Sequence, residues 1–348
     1  MATPTPTADS PASSAPPKFD ARKRRRRRAL VIAGSVIGAL ALVIGGLAAW
    51  FLYTPTPAEP RLAATVEQHT VTVDGLERTY TTVVPDDLPA NAPAILAFHG
   101  SNSNGDQMRT VTGYRFDELA VERGFVAIYP DGYEKTWHDC RTSTPYPARL
   151  DDIDDLAFTE AMIDATEADY GIDRSRVFAT GLSNGGHFSM RLGVERPDLV
   201  KGFAAFAAAY PEPSNFSCTD SGAPEAAMFV LGTADPINPF AGGKASAFGS
   251  DLGMVNSAEA SARLWAERNG LDAEPEVEKV KDGVETDDTD VTRTVYGDGT
   301  STPVVLYAVE GGGHVVPNPN YSQPRIMGGT TQDLDGPLAA VEFFLGLD

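Results

Sequence analysis

The chain has 348 residues, of which 42% are hydrophobic and 22% are charged, a composition typical of a folded globular protein. This composition excludes a wholly disordered or fibrous chain. The formal net charge of −20 argues against a nucleic-acid-binding protein, whose surface is normally basic. Two cysteines are too few for a disulfide-rich miniprotein or for a zinc site made of thiolates alone.

The N-terminal part differs from the rest of the chain in charge and hydropathy. Residues 1–28 hold eight basic and two acidic residues, and their Ala-, Thr-, Pro- and Ser-rich first part predicts a disordered basic tail. Residues 29–53 carry no charge. As a helix they would extend roughly 37 Å, enough to cross a bilayer core of about 30 Å. The positive-inside rule then predicts a cytoplasmic tail, a single-pass signal anchor and an extracytoplasmic body.

Two alternatives remain for this N-terminal part. The apolar stretch could be a signal peptide whose cleavage releases a secreted protein, although a usual h-region has only about 7–15 residues. The arginine run could instead be a nuclear-localisation or nucleic-acid-binding segment, which the neighbouring apolar run disfavours. Prolines at positions 55, 57 and 60 predict a short stiff linker over residues 54–65.

From residue 66 onward the pattern predicts alternating strands and helices. Two stretches that alternate apolar with polar residues, 66–74 and 78–85, predict a hairpin. Short apolar runs follow, as in buried parallel strands, and helical stretches ending at glycines separate them. This alternation predicts a single doubly wound, mostly parallel α/β domain over residues 66–348.

A Gly-Leu-Ser-Asn-Gly sequence supplies a candidate nucleophile, Ser183. It directly follows a predicted strand and precedes a helical stretch, the context that a nucleophile elbow requires. The tight turn needs small neighbours, which Gly181, Gly185 and Gly186 supply. The backbone N–H of Asn184, at a helix N-terminus, is predicted to stabilise an oxyanion. The alternative is an ordinary glycine-rich turn.

A serine nucleophile needs a general base, and chain position selects one of the five histidines. His314 lies far downstream, after the last predicted strand, where α/β hydrolases carry their base. His69 and His138 lie in a hairpin and a polar loop, and His187 follows Ser183 on the same helix. For His314 the alternative is a plain loop histidine.

The acid partner is expected after an intervening strand. Asp235 follows such a strand directly, at the carboxyl end where open α/β sheets bind their ligands. There it would hold the His314 tautomer and stabilise the imidazolium. Asp251 and the acidic residues around 287–290 lack this position, and we interpret them as solvated surface.

The second oxyanion donor is expected in the loop that follows the strand at residues 93–98. Gly100 allows the backbone of this loop to approach the reacting group closely, and the N–H of Ser101 is the predicted donor. We expect His99, at the start of the loop, to be a structural hydrogen-bonding residue rather than a base.

The segment before the elbow contains three further candidates. Trp137 could form a wall of the substrate site, and a packed loop aromatic is the alternative. Cys140 and Cys218 could form a disulfide if the domain lies in an oxidising compartment, and two free thiols are the alternative. The acidic residues at 151–155 do not have the spacing of an EF-hand, and we interpret them as helix N-terminal carboxylates rather than a metal site.

In order along the chain, these motifs resemble the polyhydroxybutyrate depolymerase and feruloyl esterase-like family of secreted α/β hydrolases. The matching stretches are LAFHG at 96–100, DDLAF at 154–158, RVFATGLSNGG at 176–186, GTADP at 232–236 and GGGH at 311–314. The resemblance implies an α/β-hydrolase fold, a catalytic triad of Ser183, Asp235 and His314, and no metal or other cofactor. It implies cleavage of short acyl polyesters, or of feruloyl or acetyl esters on plant polysaccharide. Val316 stands where the family usually has a tryptophan, which disfavours an aryl ester.

These observations predict a membrane-tethered extracytoplasmic serine esterase that forms an acyl-enzyme with its ester substrate. No nucleic-acid partner is expected. The same triad would also serve an acyltransferase acting on envelope alcohols, or an acetyl or feruloyl polysaccharide esterase. A non-catalytic binding protein on an inherited fold and a peptidase are the remaining alternatives.

Overall fold

The computed structural model describes residues 1–3, 21–281, 283–284 and 287–347, which fall into two compact units divided after Leu52. The first unit contains helix α1 (Ala21–Leu52). Within Arg22–Leu52, an 18-residue stretch has a mean hydropathy of 2.5, so the helix is long and apolar enough to cross a membrane, as a membrane anchor or a signal sequence. Of the predicted disordered tail, residues 4–20 lie outside the described residues. The basic residues from position 22 onward are helical, in keeping with the high helix propensity of Arg and Lys.

The second unit is built around a ten-stranded sheet and a separate two-stranded hairpin. The twelve strands are β1 (Ala64–Val73), β2 (Leu76–Pro85), β3 (Ala94–Phe98), β4 (Val126–Pro130), β5 (Val177–Leu182), β6 (Gly202–Phe206), β7 (Ala226–Gly232), β8 (Gly243–Ala247), β9 (Ser250–Val255), β10 (Glu276–Lys279), β11 (Asp290–Tyr296) and β12 (Val304–Glu310). The large sheet has the order β1-β2-β4-β3-β5-β6-β7-β12-β11-β10, and β8 pairs with β9. The neighbours from β4 to β12 are parallel, and the flanking pairs are antiparallel.

Helices cover both faces of the sheet. They are α2 (Gly105–Val111), α3 (Arg115–Arg123), α4 (Pro147–Leu150), α5 (Asp155–Tyr170), α6 (Asn184–Glu195), α7 (Ala258–Arg268) and α8 (Gly336–Leu345). One apolar cluster joins the sheet to α5, α6 and α7, and the other joins it to α2, α3 and α8. Along β3, Leu96 and Phe98 belong to the first cluster and Ile95 and Ala97 to the second, because successive strand residues point to opposite faces. This burial on both faces is why the central strands are continuous apolar runs.

The doubly wound α/β fold and the first hairpin are confirmed, whereas helices α2 and α4 and strands β8, β9, β10 and β11 were not predicted. Strand β10 is exposed along its whole length, and only Ala245 of β8 is buried. Such strands lack the apolar alternation on which the prediction depends. Helix α2 has only seven residues, too few to show a helical period.

The acidic residues before α5 have structural partners. Asp154 caps the helix by accepting a hydrogen bond from the Ala157 N–H at 2.9 Å. Asp155 is fully buried and forms an ion pair of 2.8 Å with Arg78. Both contacts agree with the interpretation of these residues as helix N-terminal carboxylates.

The predicted linker is packed against the second unit. Arg109 Nη2 donates to Glu59 Oε1 at 2.6 Å, and the Asp86 N–H donates to the Ala63 carbonyl at 2.9 Å. Arg109 is itself buried and paired with Asp117 at 2.8 Å. The predicted linker therefore belongs to the folded unit, and its last two residues are already part of β1.

Candidate active site

The candidate nucleophile occupies a strained turn between β5 and α6. Ser183 has φ 56° and ψ −116°, a conformation that non-glycine residues rarely adopt and that costs on the order of 1–3 kcal/mol. A Cβ on Gly181 would lie 2.4 Å from the Gly185 carbonyl carbon, and one on Gly185 would lie 2.2 Å from the Phe98 oxygen. These distances are too short for any side chain, so both glycines are required by the close approach of the backbone.

Asn184 begins helix α6 and is fully buried. The first N–H groups of a helix have no partner within it, so this N–H is available to an anion at the elbow. The side chain of Asn184 is held at both ends. Its Oδ1 accepts from the Trp137 N–H at 2.8 Å, and its Nδ2 donates to the Trp137 carbonyl at 3.0 Å and to Asp139 Oδ2 at 2.7 Å.

Asp235 and His314 form a buried pair, with Nδ1 of the imidazole 2.8 Å from Oδ2 of the carboxylate. A carboxylate only accepts, so Nδ1 carries the proton and Nε2 of the neutral ring has a free lone pair. The other oxygen, Oδ1, accepts from the N–H groups of Ile237 at 2.7 Å and Asn238 at 2.8 Å. Three donors therefore fix the carboxylate, and the carboxylate fixes the tautomer of His314.

Sheet order brings these two loops together. Asp235 follows β7 and His314 follows β12, and the two strands are parallel neighbours, so their carboxyl ends lie side by side. The loops approach so closely that a Cβ on Gly232 would lie 2.2 Å from the Gly312 oxygen. Ser183 follows β5 at the same edge of the sheet.

The loop after β3 lies against the elbow. A Cβ on Gly100 would be 3.6 Å from the Ser183 Cβ, so the peptide between Gly100 and Ser101 is close to the nucleophile. His99 orients this loop, since its Nδ1 donates to the Gly100 oxygen at 2.7 Å and its Nε2 accepts from the Gly132 N–H at 2.9 Å. Burial lowers the pKa of His99 to about 4, which keeps the ring neutral and structural as expected.

The other three histidines have structural surroundings. His69 Nε2 lies 2.9 Å from Thr82 Oγ1, and His138 Nδ1 lies 3.3 Å from the Ile153 oxygen. His187 is buried on α6, and neither ring nitrogen has a hydrogen-bond partner among the described residues. Burial and the charges of Arg141 and His314 hold the pKa of His187 well below its usual value, although Asp139 opposes them. His187 therefore stays neutral beneath the site.

Trp137 is a packing residue rather than a wall of the site. It has no exposed surface, and its ring stacks on Phe188 with the centroids 5.4 Å apart. Its indole N–H donates to the His99 oxygen at 2.9 Å, and its backbone holds the side chain of Asn184. The packed-aromatic alternative thus fits the structure. Because Trp137 packs in the core, its loop supports Asn184 from inside the protein.

Cys140 and Cys218, which are 78 positions apart in the sequence, are joined in a disulfide. On either side of Cys140 lie Asp139 and Arg141, which form a buried ion pair at 2.6 Å. The only sequence signal for this pair was its proximity to the cysteine. Among the described residues, no group of three or more His, Cys, Asp or Glu side chains is arranged to hold a metal ion.

Comparisons with known proteins identify esterases as similar to this chain. Residues 76–305 match the Esterase family, described as "Putative esterase". The chain is 28% identical over 308 residues to "Putative esterase NocK" of Nocardia uniformis subsp. tsuyamanensis, covering 84% of this chain and 87% of that protein. It is 28% identical to "Probable feruloyl esterase C" of Aspergillus niger, covering 53% and 62%. It is also 28% identical to "Poly(3-hydroxyalkanoate) depolymerase C" of Paucimonas lemoignei, covering 40% and 34%.

A solved structure supports the fold assignment. The acetyl xylan esterase from Aspergillus awamori superposes with a TM-score of 0.53 at 19% identity, covering 72% of this chain and 95% of that one. Together with the strand order, this likeness confirms the α/β-hydrolase fold, and the names of the relatives confirm the resemblance seen in the motifs. Because the family match spans more than half of the residues, the chain belongs to the Esterase family and is a carboxylic ester hydrolase.

Proposed function

We propose that this protein is a serine esterase in which Ser183, His314 and Asp235 form the catalytic triad. The observation that carries the proposal is the buried Asp235–His314 pair, with Nδ1 and Oδ2 2.8 Å apart, at the sheet edge where Ser183 occupies the elbow. A hydrogen-bonded acid and imidazole at the same sheet edge as a strained serine is the arrangement expected to turn a weak hydroxyl into a nucleophile.

The reaction proceeds in two halves. His314 Nε2 takes the proton of Ser183 Oγ as this oxygen attacks the ester carbonyl carbon, and the backbone N–H groups of Asn184 and Ser101 hold the resulting oxyanion. His314 then gives the proton to the departing alcohol, which leaves an acyl-enzyme. Water, deprotonated by His314, releases the acid and restores the serine. Asp235 keeps its charge throughout and stabilises the imidazolium.

The catalytic domain is extracytoplasmic and is held to the membrane by residues 29–53. Helix α1 has the length and hydropathy for a span, and the basic residues precede it on the side that the positive-inside rule assigns to the cytoplasm. The Cys140–Cys218 disulfide supports an oxidising compartment. Protease treatment of intact cells should remove the domain, while carbonate washing should leave the full-length protein in the membrane. Release of a shortened, soluble protein would instead favour signal cleavage.

The substrate is a short acyl ester, such as acetate, on a hydroxyl-rich polymer. Relatives are named as a probable feruloyl esterase and a bifunctional acetylxylan esterase/xylanase. A cleft of about 680 Å³, whose lining includes the polar residues Asn320, Tyr321 and Gln323, suits a sugar. None of Ser183, Asp235 and His314 is among its lining residues, so it would bind the polymer outside the triad. Val316 is fully buried, so the position where the family usually has a tryptophan provides no platform for an aromatic acyl group.

A substrate series tests this assignment. We expect kcat/KM to be highest for acetylated xylo-oligosaccharides and p-nitrophenyl acetate, and lower for methyl ferulate and hydroxybutyrate oligomers. A preference for the hydroxybutyrate oligomers would favour polyester depolymerisation. Adding an alcohol acceptor to the same assay separates hydrolysis from acyl transfer, because transfer produces a new ester instead of the free acid.

Ser183→Ala tests the triad. Loss of a triad nucleophile lowers kcat by about 10⁴-fold or more, so p-nitrophenyl acetate hydrolysis should fall on that scale and labelling by a fluorophosphonate should disappear. Ser101→Ala is the matched control, since it removes a nearby hydroxyl and keeps the backbone N–H. Retention of most activity by the Ser183 variant would reject the mechanism.

A further inference from the structure

We propose that Asp139 is a positioning residue for the oxyanion donor, and that Arg141 and the Cys140–Cys218 disulfide hold it in place. The inference deepens the proposed function and rests on it. The chain of contacts begins at Asn184, whose backbone N–H stabilises the oxyanion and whose side chain is bonded to Asp139 Oδ2 at 2.7 Å. Asp139 touches no reacting atom and acts only through Asn184.

Asp139 is enclosed and all of its acceptor sites face donors. Its Oδ1 accepts from the Arg141 N–H at 2.8 Å and from Arg141 Nε at 3.0 Å, and its Oδ2 accepts from Arg141 Nη2 at 2.6 Å. Burial raises the pKa of the Asp139 carboxyl, but the charge and hydrogen bonds of Arg141 outweigh burial and leave it below the usual value. The group is therefore a fixed anion at neutral pH, and an anionic acceptor makes the stronger hydrogen bond to Asn184.

The disulfide fastens the loop that carries this ion pair. Cys140 lies between Asp139 and Arg141, and its carbonyl accepts from the Ser217 N–H at 2.9 Å and from Ser217 Oγ at 3.0 Å. Its sulfur is bonded to Cys218 in the same segment. The loop is thus attached to residues 217–218 through main chain, side chain and covalent bond, which prevents Asp139 from moving away from Asn184.

These contacts bear on catalysis because Asn184 has two roles. Its backbone N–H is the oxyanion donor, and its side chain receives the contacts that hold it in place. Three hydrogen bonds, two to the Trp137 backbone and one to Asp139, fix the side chain and with it the orientation of the Asn184 backbone. An oxyanion donor must be held within about 0.5 Å of its productive position. Loss of the Asp139 contact is therefore expected to weaken binding of the transition state more than binding of the ester.

The test compares Asp139→Asn with the wild type on p-nitrophenyl acetate, together with inhibition by methylboronic acid, which forms a tetrahedral adduct with the serine and places an oxygen in the oxyanion site. Removing a donor entirely costs about 10²–10³-fold in kcat. Displacing one should cost about 10- to 100-fold. We expect kcat to fall by that factor, the boronate inhibition constant to rise by a similar factor, and KM to stay within about twofold.

Asp117→Asn is the matched control, since Asp117 forms an equally buried ion pair with Arg109 away from Asn184. It should lower the melting temperature without changing the boronate inhibition constant. If Asp139→Asn behaves in the same way, its role is only structural and the proposal is overturned.

The double variant Cys140→Ser/Cys218→Ser decides the matter if Asp139→Asn does not fold, because it keeps the ion pair and releases the loop. A parallel loss of kcat and boronate affinity supports the proposal, and unchanged values for both overturn it. Wild type and Ser183→Ala belong in the same assay. An inactive wild type, or an active Ser183 variant, would contradict the proposed function itself rather than this inference.

Discussion

Strand β7 has a buried carboxyl group at each end, Glu225 directly before its first residue and Asp235 three residues after its last. The side chain of Asp235 has no exposed surface, and Glu225 is 4% exposed. Their partners differ. Three N–H donors converge on the oxygens of Asp235, whereas Oε1 of Glu225 has no hydrogen-bond partner among the described residues.

Because their partners differ, Glu225 and Asp235 differ in charge although they are similarly buried. Burial raises the pKa of Glu225 to about 9, and the charge of Arg268, which is bound to Asp220 at 2.8 Å, only partly opposes this rise. Glu225 is therefore protonated at neutral pH. A buried carboxylate can serve as an anion only where N–H donors replace its water. At the carboxyl edge of the sheet, the N–H groups of Ile237, Asn238 and His314 supply those donors to Asp235. At the amino edge, no described residue donates to Oε1 of Glu225.

The largest expected effect follows from removing the negative charge of Asp235, beyond the carboxyl end of β7. Asp235→Asn should lower kcat for p-nitrophenyl acetate by about 10⁴-fold, because an amide no longer favours the required tautomer of His314. Its melting temperature should stay close to that of the wild type. Asp251→Asn, at an exposed carboxylate after the same strand, should leave kcat unchanged. Equal activities of the two variants would remove Asp235 from the triad.

Replacing Glu225, at the opposite end of β7, should change the stability of the protein but not kcat. Because folding raises the pKa of Glu225 from about 4.5 to about 9, the folded state binds more protons than the unfolded state between these values. The free energy of unfolding therefore falls as pH rises through this window, by up to about 1.4 kcal/mol per pH unit. Glu225→Gln should remove this dependence, so that its melting temperature gains on the wild type from pH 5 to pH 8.

Two measurements check this second expectation. The kcat of Glu225→Gln should equal that of the wild type, and Glu276→Gln, at an exposed carboxylate on β10, should show no gain in stability with pH. A constant difference in melting temperature between Glu225→Gln and the wild type would mean that Glu225 is ionised in the folded protein.

A third change tests whether the packing at the end of β7 holds the two loops together. Gly232→Ala would place a methyl group 2.2 Å from the Gly312 oxygen. Overpacking of this kind typically costs about 1–3 kcal/mol, and displacement of the loop should also lower kcat. Urea unfolding measures the cost. Gly283→Ala, where the nearest atom is 3.6 Å away, should change stability by less than about 0.5 kcal/mol.

The smallest effect is expected at Asp154, an exposed carboxylate that accepts a hydrogen bond from a backbone N–H. Asp154→Ala removes the cap of α5 and should lower the free energy of unfolding by about 1 kcal/mol. Asp154→Asn keeps an oxygen acceptor and should remain close to the wild type, because Asn caps helices about as well as Asp. A large loss in the Asn variant would show that charge, rather than the hydrogen bond, stabilises this helix end.

The fold and the order of the proposed triad were predictable for the same reason. Buried parallel strands appear as apolar runs, and catalytic residues of such sheets follow the strands, so Ser183, Asp235 and His314 are recognisable from their neighbours alone. Asp139 was not selected, and the two interpretations of Trp137 stayed open, because both residues lie in a loop without periodicity. Neither the burial of the tryptophan nor the contact between Asp139 and Asn184 leaves a local signal.

The sequence by itself determined the elbow, since the glycines around Ser183 permit a turn that other residues sterically forbid, and it determined the class of fold through its hydrophobic pattern. Only the tertiary structure decided which buried carboxyl group is surrounded by donors, that Asp139 contacts Asn184, and how the linker packs. Those properties depend on contacts between residues up to 79 positions apart, and short-range spacing does not encode such contacts.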